Sequence, residues 1–189
     1  MKSRATTSQT VGPFLSLGCE QTYCADPTTP GTLGERMVVG GKILDGVGVP
    51  VPDAGVEIWQ ADSHGKSLHP QDTQDKPSDA AFGGFGLVAT NDHGAFHLRT
   101  VKPGPVPGPR GSMQARHLLV LVFMRGLLKH LVTRVHFPDD PSNPNDPVLN
   151  LVDSLRRQTL IARSITGNPG SLGWNVILQG PEETVFFDC

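Results

Sequence analysis

The stretch ARHLLVLVFMRGLLKHLVTRVHF, residues 115–137, decides the fold of this chain. Residues 117–123 are almost continuously apolar, and residues 129–137 alternate between apolar and polar side chains. Because side chains of a strand point alternately to its two faces, both parts predict β-strands, with a turn at Gly126 between them. A continuously apolar strand is typical of a sheet interior, where both faces are buried. We therefore expect these two strands at the centre of a β-structure.

Similar short segments follow one another along the rest of the chain. Residues 37–44 and 56–60 predict two adjacent paired strands, and residues 87–101 predict a hairpin whose turn is NDHG. Residues 102–111 are too rich in proline for a central strand, and residues 171–180 and 184–188 predict strands near the end. About six to eight short strands at roughly ten-residue spacing are typical of a β-sandwich. The expected fold is all-β, a β-sandwich core with long loops.

Helices are expected to be rare, one or two short ones at most. The helical candidate is residues 147–161, with Asp146 or Asp153 as its N-terminal cap. Residues 63–80 are polar and without periodicity, which predicts a long surface loop, and loops of this length often carry function. At 189 residues, the chain is expected to form a single domain spanning residues 1–189.

Composition excludes several classes of partner. The formal net charge is −2, the isoelectric point is about 6.4, and there is no run of lysine and arginine, so neither nucleic acid nor a membrane surface is an expected partner. No apolar run is long enough to span a membrane, and the expected location is the cytoplasm. The three cysteines, Cys19, Cys24 and Cys189, are odd in number, and the only close pair has no second pair to complete a tetrahedral zinc site, so they are expected to be reduced thiols.

The familiar catalytic motifs of hydrolases, zinc proteases and nucleotide-binding proteins are absent from the sequence. Seven histidines are present, and no two of them are spaced by two residues on one strand. A ligand strand with two histidines on one face would need a partner for His117 at position 119, which is Leu119. A metal site built within this chain is therefore disfavoured.

Several longer motifs together resemble the intradiol ring-cleaving dioxygenases. They are, in chain order, SQTVGPF, PVPDAGVEIWQAD, FGGFG, TVKPGPVPG and KHLVTRVHFPDDP. The resemblance implies a β-sandwich fold and a ferric iron held by two tyrosinates and two histidines. It further implies a hetero-oligomer of homologous α and β chains, in which the β chain carries Fe(III) and the complex cleaves protocatechuate with O2 to 3-carboxy-cis,cis-muconate.

This sequence departs from the family pattern at the iron ligands. Val106 stands where an iron tyrosine is expected, Leu119 stands where the second histidine is expected, and residues 76–81 contain no tyrosine. The whole chain has one tyrosine, Tyr23, so two tyrosinate ligands cannot come from it. The prediction is a chain with no metal ligands and no catalytic residues of its own, in which His117 remains as a partly buried residue of the sheet.

The resemblance assigns substrate-binding residues to this chain nevertheless. Thr10, Gly12 and Pro13 would lie along the substrate pocket of the iron-binding β subunit, within an extended N-terminal segment, residues 1–34, that contributes to the interface. Arg134 would face the substrate carboxylate. On the residues alone, the first three could belong to a flexible tail and Arg134 to a solvated strand face. Trp59 and Gln60 are expected to pack in the core.

Two other interpretations stay open at this point. The pattern of strands and turns in residues 37–103 also recurs in prealbumin-like β-sandwich modules, which would bind or support without catalysis. An autonomous enzyme with an unusual metal site is disfavoured by the ligand count. If the chain is an α subunit, we expect it to need its β partner and to self-associate when alone.

Overall fold

Residues 115–137 form the antiparallel strand pair that their pattern predicts. In the computed structural model, which describes residues 5–12 and 15–188, Val122 pairs with Leu131 at the turn and His117 pairs with His136 at the far end. The described residues form one short α-helix, α1 (Leu15–Cys19), and four short 3-10 helices, Pro109–Gly111, Asn143–Asn145, Leu149–Leu151 and Arg157–Leu160. The strands are β1 (Arg36–Leu44), β2 (Gly55–Trp59), β3 (Phe85–Ala89), β4 (Ala95–Val101), β5 (Val106–Pro107), β6 (Met113–Gln114), β7 (His117–Phe123), β8 (Leu131–His136), β9 (Arg163–Ser164), β10 (Ser171–Gly173) and β11 (Val176–Ile177).

The strands of this part of the chain form two main sheets and one small one. The first sheet has four strands in the order β3-β2-β7-β8, all antiparallel. In the second sheet β1 is central, with β4 antiparallel on one side and β10 and β11 parallel on the other, while β9 pairs with β10. Strands β5 and β6 form a separate two-stranded hairpin.

The inner faces of the two main sheets enclose one hydrophobic core. Strand β7 alternates strictly between buried and half-buried residues, so one of its faces lies in the core and the other looks outward. The buried cluster draws on both sheets and includes Val39, Ile43, Val56, Ile58, Phe96, Leu98, Leu118, Val120, Val122 and Val135. This packing of sheet on sheet confirms the predicted all-β sandwich.

Strand partners differ from the predicted ones. Strands β1 and β2 do not pair with each other but lie in different sheets, and the same holds for β3 and β4. The NDHG turn itself is present, because the Asn91 side chain accepts hydrogen bonds from the backbone of His93 and Ala95 at 3.0 Å each. Both connections therefore cross from one sheet to the other, which a local turn pattern cannot distinguish from a hairpin. Strand β8 lies at the edge of its sheet and not at the centre.

The helix predicted at residues 147–161 is wrong. This segment contains two short 3-10 helices, Leu149–Leu151 and Arg157–Leu160. The buried carboxylate of Asp146 accepts hydrogen bonds from the backbone N–H groups of Val148 and Leu149 at 2.9 and 2.7 Å, in the pattern of an N-terminal cap, but the backbone becomes extended at Val152 after a single turn. The short helix α1 was not predicted. No helix in the described ranges is long and apolar enough to cross a membrane.

Candidate functional site

The outer face of the four-stranded sheet carries the positions at which the sequence lacks iron ligands. Leu119 and His117 of β7 lie on this face, and Trp59 of β2 is the cross-strand partner of Leu119. Together with Val106 of β5, these residues line a cavity of about 800 Å³. The fold thus brings Val106, His117 and Leu119 to one place, although they lie in two separate elements of the sequence.

This cavity does not fit a ferric ion. Valine and leucine have no atom that could coordinate a metal, and a ferric centre needs anionic oxygen and imidazole ligands to neutralise its charge. His117 is half-buried in the sheet, as predicted, and its Nδ1 lies 2.8 Å from the carbonyl oxygen of Ala115. Within residues 5–12 and 15–188, no group of three or more His, Cys, Asp or Glu side chains is arranged to hold a metal.

The loop at residues 62–79 closes one side of the cavity and is held by buried charged groups. Asp62 is buried, and its carboxylate accepts hydrogen bonds from the backbone N–H groups of Lys66 and Asp79 at 2.9 and 2.8 Å. The ammonium of Lys66 lies 3.3 Å from the carboxylate of Asp72. Burial alone raises the pKa of Asp72, but hydrogen bonds from Ser67, Gln74 and Lys66 outweigh it and lower this pKa to about 2. The predicted surface loop is therefore an ordered wall.

Two histidines, His117 and His136, lie next to each other beside the cavity. The sequence pattern pointed to His117 as a possible ligand but did not point to His136. His136 is the cross-strand partner of His117, and their ring centroids are 5.5 Å apart. His136 is fully buried, and among the described residues neither of its ring nitrogens has a hydrogen-bond partner. Burial, followed by the positive charge of Arg134, lowers the pKa of His117 to about 4, and burial also lowers the pKa of His136. Both rings are therefore neutral at pH 7.

Arg134 lies on the outer face of β8, as the alternation predicts. It is the cross-strand partner of Leu119, and its neighbours Thr133 and Val135 point into the core. The Arg134 side chain is half-buried, and its Nη1 donates a hydrogen bond to Oε1 of Gln114. No local pattern indicated Gln114, because the contact joins β8 to the β5–β6 hairpin across the surface of the sheet.

The N-terminal residues expected at a substrate pocket lie at the other end of the β7–β8 pair. The hydroxyl of Thr10 accepts a hydrogen bond from the backbone N–H of Gly126 at 2.7 Å, and Gly126 belongs to the turn between the two strands. Gly12 is exposed, and Pro13 lies outside the described residues. Arg134 is three residue pairs from the turn-side pair of Val122 and Leu131, which corresponds to roughly 10 Å along the strand. Within this chain, Thr10 and Arg134 are therefore not brought together.

The expectation of core packing is wrong for Trp59 and also for Gln60, which is half-buried and lines the same cavity. Trp59 is 45% exposed and stacks against Phe85 with ring centroids 4.6 Å apart, so its indole forms part of the cavity wall and not of the core. The Gln60 amide donates to the carbonyl oxygen of Val101 at 2.9 Å and accepts from the hydroxyl of Thr100 at 2.7 Å. Gln60 therefore ties β2 to the end of β4.

Comparisons with known proteins agree with this geometry. A family model described as Dioxygenase matches residues 18–180. The chain is 40% identical to a protocatechuate 3,4-dioxygenase alpha chain of Burkholderia cepacia, with 98% of both chains covered. It is 34% identical to the corresponding beta chain of that organism, over 80% of this chain and 68% of the relative.

A solved structure supports the fold assignment. The dioxygenase domain of a carbohydrate-binding fusion protein from Streptomyces sp. SirexAA-E superimposes with a TM-score of 0.63 at 25% identity, covering 86% of this chain and 89% of that one. The family match also removes the interpretation as an unrelated prealbumin-like module. The chain therefore belongs to the intradiol ring-cleavage dioxygenase family, and it is similar over nearly its whole length to the alpha chains of protocatechuate 3,4-dioxygenase.

Proposed function

We propose that this chain is the iron-free α subunit of a protocatechuate 3,4-dioxygenase. The observation that carries the proposal is the cavity lined by Val106, His117 and Leu119, in which positions of the family's ligands meet and, of these three side chains, His117 alone has an atom that could bind iron. The near full-length similarity to alpha chains supports the same assignment. The reaction of the complex adds both atoms of O2 to protocatechuate and breaks the bond between the two hydroxyl-bearing carbons, which yields 3-carboxy-cis,cis-muconate.

The partner in this proposal is a homologous β subunit that binds Fe(III) and carries the oxygen chemistry. The similarity to a beta chain of the same fold family supports a pairing of two related sandwiches. The outer face of the four-stranded sheet offers Trp59, Leu119 and Leu121 for contact with a second protein, all of them at least partly accessible in this chain. A complex of this kind functions in the cytoplasm, where its aromatic substrate is degraded.

Arg134 provides the substrate role of this chain. A carboxylated catechol brings a negative charge into a partly desolvated pocket, and a planar guanidinium can meet that charge with two charge-assisted hydrogen bonds. The low pKa values of His117 and His136 are consistent with this role, because neutral rings add no positive charge of their own beside Arg134. Ring cleavage occurs at the hydroxyl-bearing carbons, so Arg134 orients the substrate and does not take part in oxygen chemistry.

Thr10, Gly12 and Pro13 are proposed to reach the partner's pocket as part of the N-terminal segment, residues 1–34, of a single domain. Some of this segment packs on its own chain, since Cys24 and Thr28 form β-bridges with Leu87 and Phe82. Of the residues before α1, the described ones, residues 5–12, are mostly exposed, which leaves them accessible to a partner. Both described cysteines, Cys19 and Cys24, are free thiols.

The test is reconstitution of the complex. This chain and an iron-binding β homologue are expressed separately and together, and iron content, the tyrosinate-to-iron charge-transfer band and O2 uptake with protocatechuate are measured. We expect co-purification, with iron, colour and activity only where the β chain is present. An isolated chain of this sequence that holds stoichiometric iron and cleaves catechols would overturn the proposal, as would a stable monomer that ignores the β chain.

A further inference from the structure

Gln114 contacts Arg134 from a different structural unit. Arg134 belongs to the edge strand of the four-stranded sheet, and Gln114 belongs to the β5–β6 hairpin, where it is the cross-strand partner of Val106. The two side chains meet through the hydrogen bond from the Arg134 guanidinium to the Gln114 amide oxygen. The hairpin that supplies Val106 to the cavity wall therefore also supplies an acceptor to Arg134.

A second hydrogen bond fixes the orientation of the Gln114 amide. Its Nε2 donates to the backbone carbonyl oxygen of Pro107 at 2.7 Å. Since a carbonyl oxygen can only accept, the NH2 group of the amide must face Pro107, and the amide oxygen must face Arg134. Gln114 is half-buried, and its contact with Arg134 is partly buried, where hydrogen bonds to charged groups are stronger than in water, whereas its contact with Pro107 is exposed.

We propose that Gln114 is a positioning residue that sets the orientation of the Arg134 guanidinium and thereby the preference of the complex for carboxylated catechols. The inference rests on the substrate role proposed for Arg134. A guanidinium presents its N–H groups in one rigid plane, so a contact that holds Nη1 restricts where the other N–H groups of that plane can lie. A carboxylate is bound by two parallel hydrogen bonds only if this plane is aligned with it.

Two substitutions separate orientation from mere packing. Gln114→Met keeps the length of the side chain but removes the acceptor, and we expect it to raise KM for protocatechuate roughly 3- to 10-fold in the αβ complex. Gln114→Glu keeps an acceptor and adds a negative charge that competes with the substrate for Arg134, so its KM increase should be larger. Both variants lose the contact with Pro107, so that contact cannot explain a difference between them. In neither variant should kcat or the KM for catechol, which lacks a carboxylate, change appreciably.

The matched control is Met113→Ala, a change in the same two-residue strand at a side chain that is 49% exposed. It should leave KM for both substrates unchanged. Each variant is also made in an Arg134→Ala background, where Gln114→Met should have no further effect, because residues that act through one another are not additive.

The outcomes distinguish this inference from the proposed function. No effect of Arg134→Ala alone would remove Arg134 from the site and the proposal with it. An effect of Arg134→Ala without an effect of Gln114→Met, or a Gln114→Met effect that is equal for both substrates or persists without Arg134, would overturn the positioning role alone. If Gln114→Met does not assemble with the β chain, Gln114→Glu decides: KM for protocatechuate must rise while KM for catechol does not.

Discussion

The two faces of the β7–β8 strand pair differ in what they do, although they alternate residue by residue in the same segment. The inner face, with Leu118, Val120 and Val135, is fully buried in the sandwich core. The outer face, with His117, Leu119 and Arg134, lines or borders the cavity. Because neighbouring side chains point in opposite directions, the outer face can lose its metal ligands while the inner face keeps the fold. In this chain, residues that hold the fold and residues that border the cavity therefore alternate one by one along the same strands.

The largest expected effect is a loss of stability when a residue of the inner face is truncated. Leu118→Ala removes a side chain with no exposed surface, and we expect it to lower the free energy of unfolding by about 2–5 kcal/mol. Leu121→Ala is the matched change on the half-buried outer face, and its cost should be below about 2 kcal/mol. Urea unfolding of each co-purified complex measures both values. Equal losses of unfolding free energy in the two variants would contradict the claim that the inner face alone holds the fold.

The second effect concerns substrate recognition on the outer face. We expect Arg134→Ala to raise KM for protocatechuate roughly 10- to 100-fold, the loss of about 1.5–3 kcal/mol that is typical of a hydrogen bond to a charged group. Catechol should be affected far less, because it has no carboxylate. Steady-state kinetics of the αβ complex with both substrates provides the measurement. Similar losses for the two substrates would show that Arg134 supports structure rather than recognition.

The third prediction uses the buried histidines. Their pKa values are lowered in the folded chain, so between pH 6.5 and about 4 the unfolded chain binds protons that the folded chain does not. Stability is therefore fully present above about pH 6.5 and decreases as the pH falls through this range. His136→Leu should weaken this pH dependence, whereas His93→Leu, at an exposed turn residue, should retain it. Thermal midpoints from pH 7 to pH 4 test this, and identical curves for His136→Leu and the unmodified chain would refute it.

The smallest expected effect is that of restoring one histidine, which should not give the chain the ability to bind iron. Leu119→His restores two histidines spaced by two residues on β7, but Val106 still offers no ligand atom and the chain still has one tyrosine. We therefore expect the isolated variant to show no tyrosinate-to-iron charge-transfer band after incubation with ferric iron. Visible absorption spectra and iron quantification provide the readout. A coloured complex with one iron per chain would contradict this prediction, because it would mean that only the missing histidine at position 119 had prevented iron binding.

The sequence predicted most strands and the β7–β8 pair, but the strand predicted at residues 184–188 is wrong, because this segment forms only an isolated β-bridge at Phe187. The partners of the other early strands were also predicted wrongly. Alternation depends on the chain itself, so the outward position of Arg134 and the inward position of Val135 could be deduced directly. Pairing depends on whether a turn stays in one sheet or crosses to the other, and the NDHG turn has the same local hydrogen bonds in either case.

The helix predicted at residues 147–161 failed although Asp146 binds the backbone N–H groups of Val148 and Leu149 as a cap would. The backbone becomes extended at Val152, whose side chain packs with Leu149 and Leu160, and this packing has no local signature.

For the candidate site too, local features could be predicted from the sequence, whereas contacts between separate elements could not. The loss of iron ligands could be counted from Val106, Leu119 and the single tyrosine, without any structure. The contact between Gln114 and Arg134 could not be predicted from the sequence, because it joins residues on separate elements and has no signature in either segment. The exposure of Trp59 was also missed, since an aromatic residue at the end of a strand looks the same in sequence whether it closes a core or lines a cavity.

The parallel pairing of β1 with β10 and β11 has a consequence for synthesis on the ribosome. One edge of β1 meets β4 early in translation, but its other edge needs partners such as Ser171 and Val176, which emerge only late. During that interval the nascent chain exposes an unpaired strand edge that other chains could extend. Slower translation prolongs this interval, so the fraction of soluble product should depend on elongation rate and on chaperone supply.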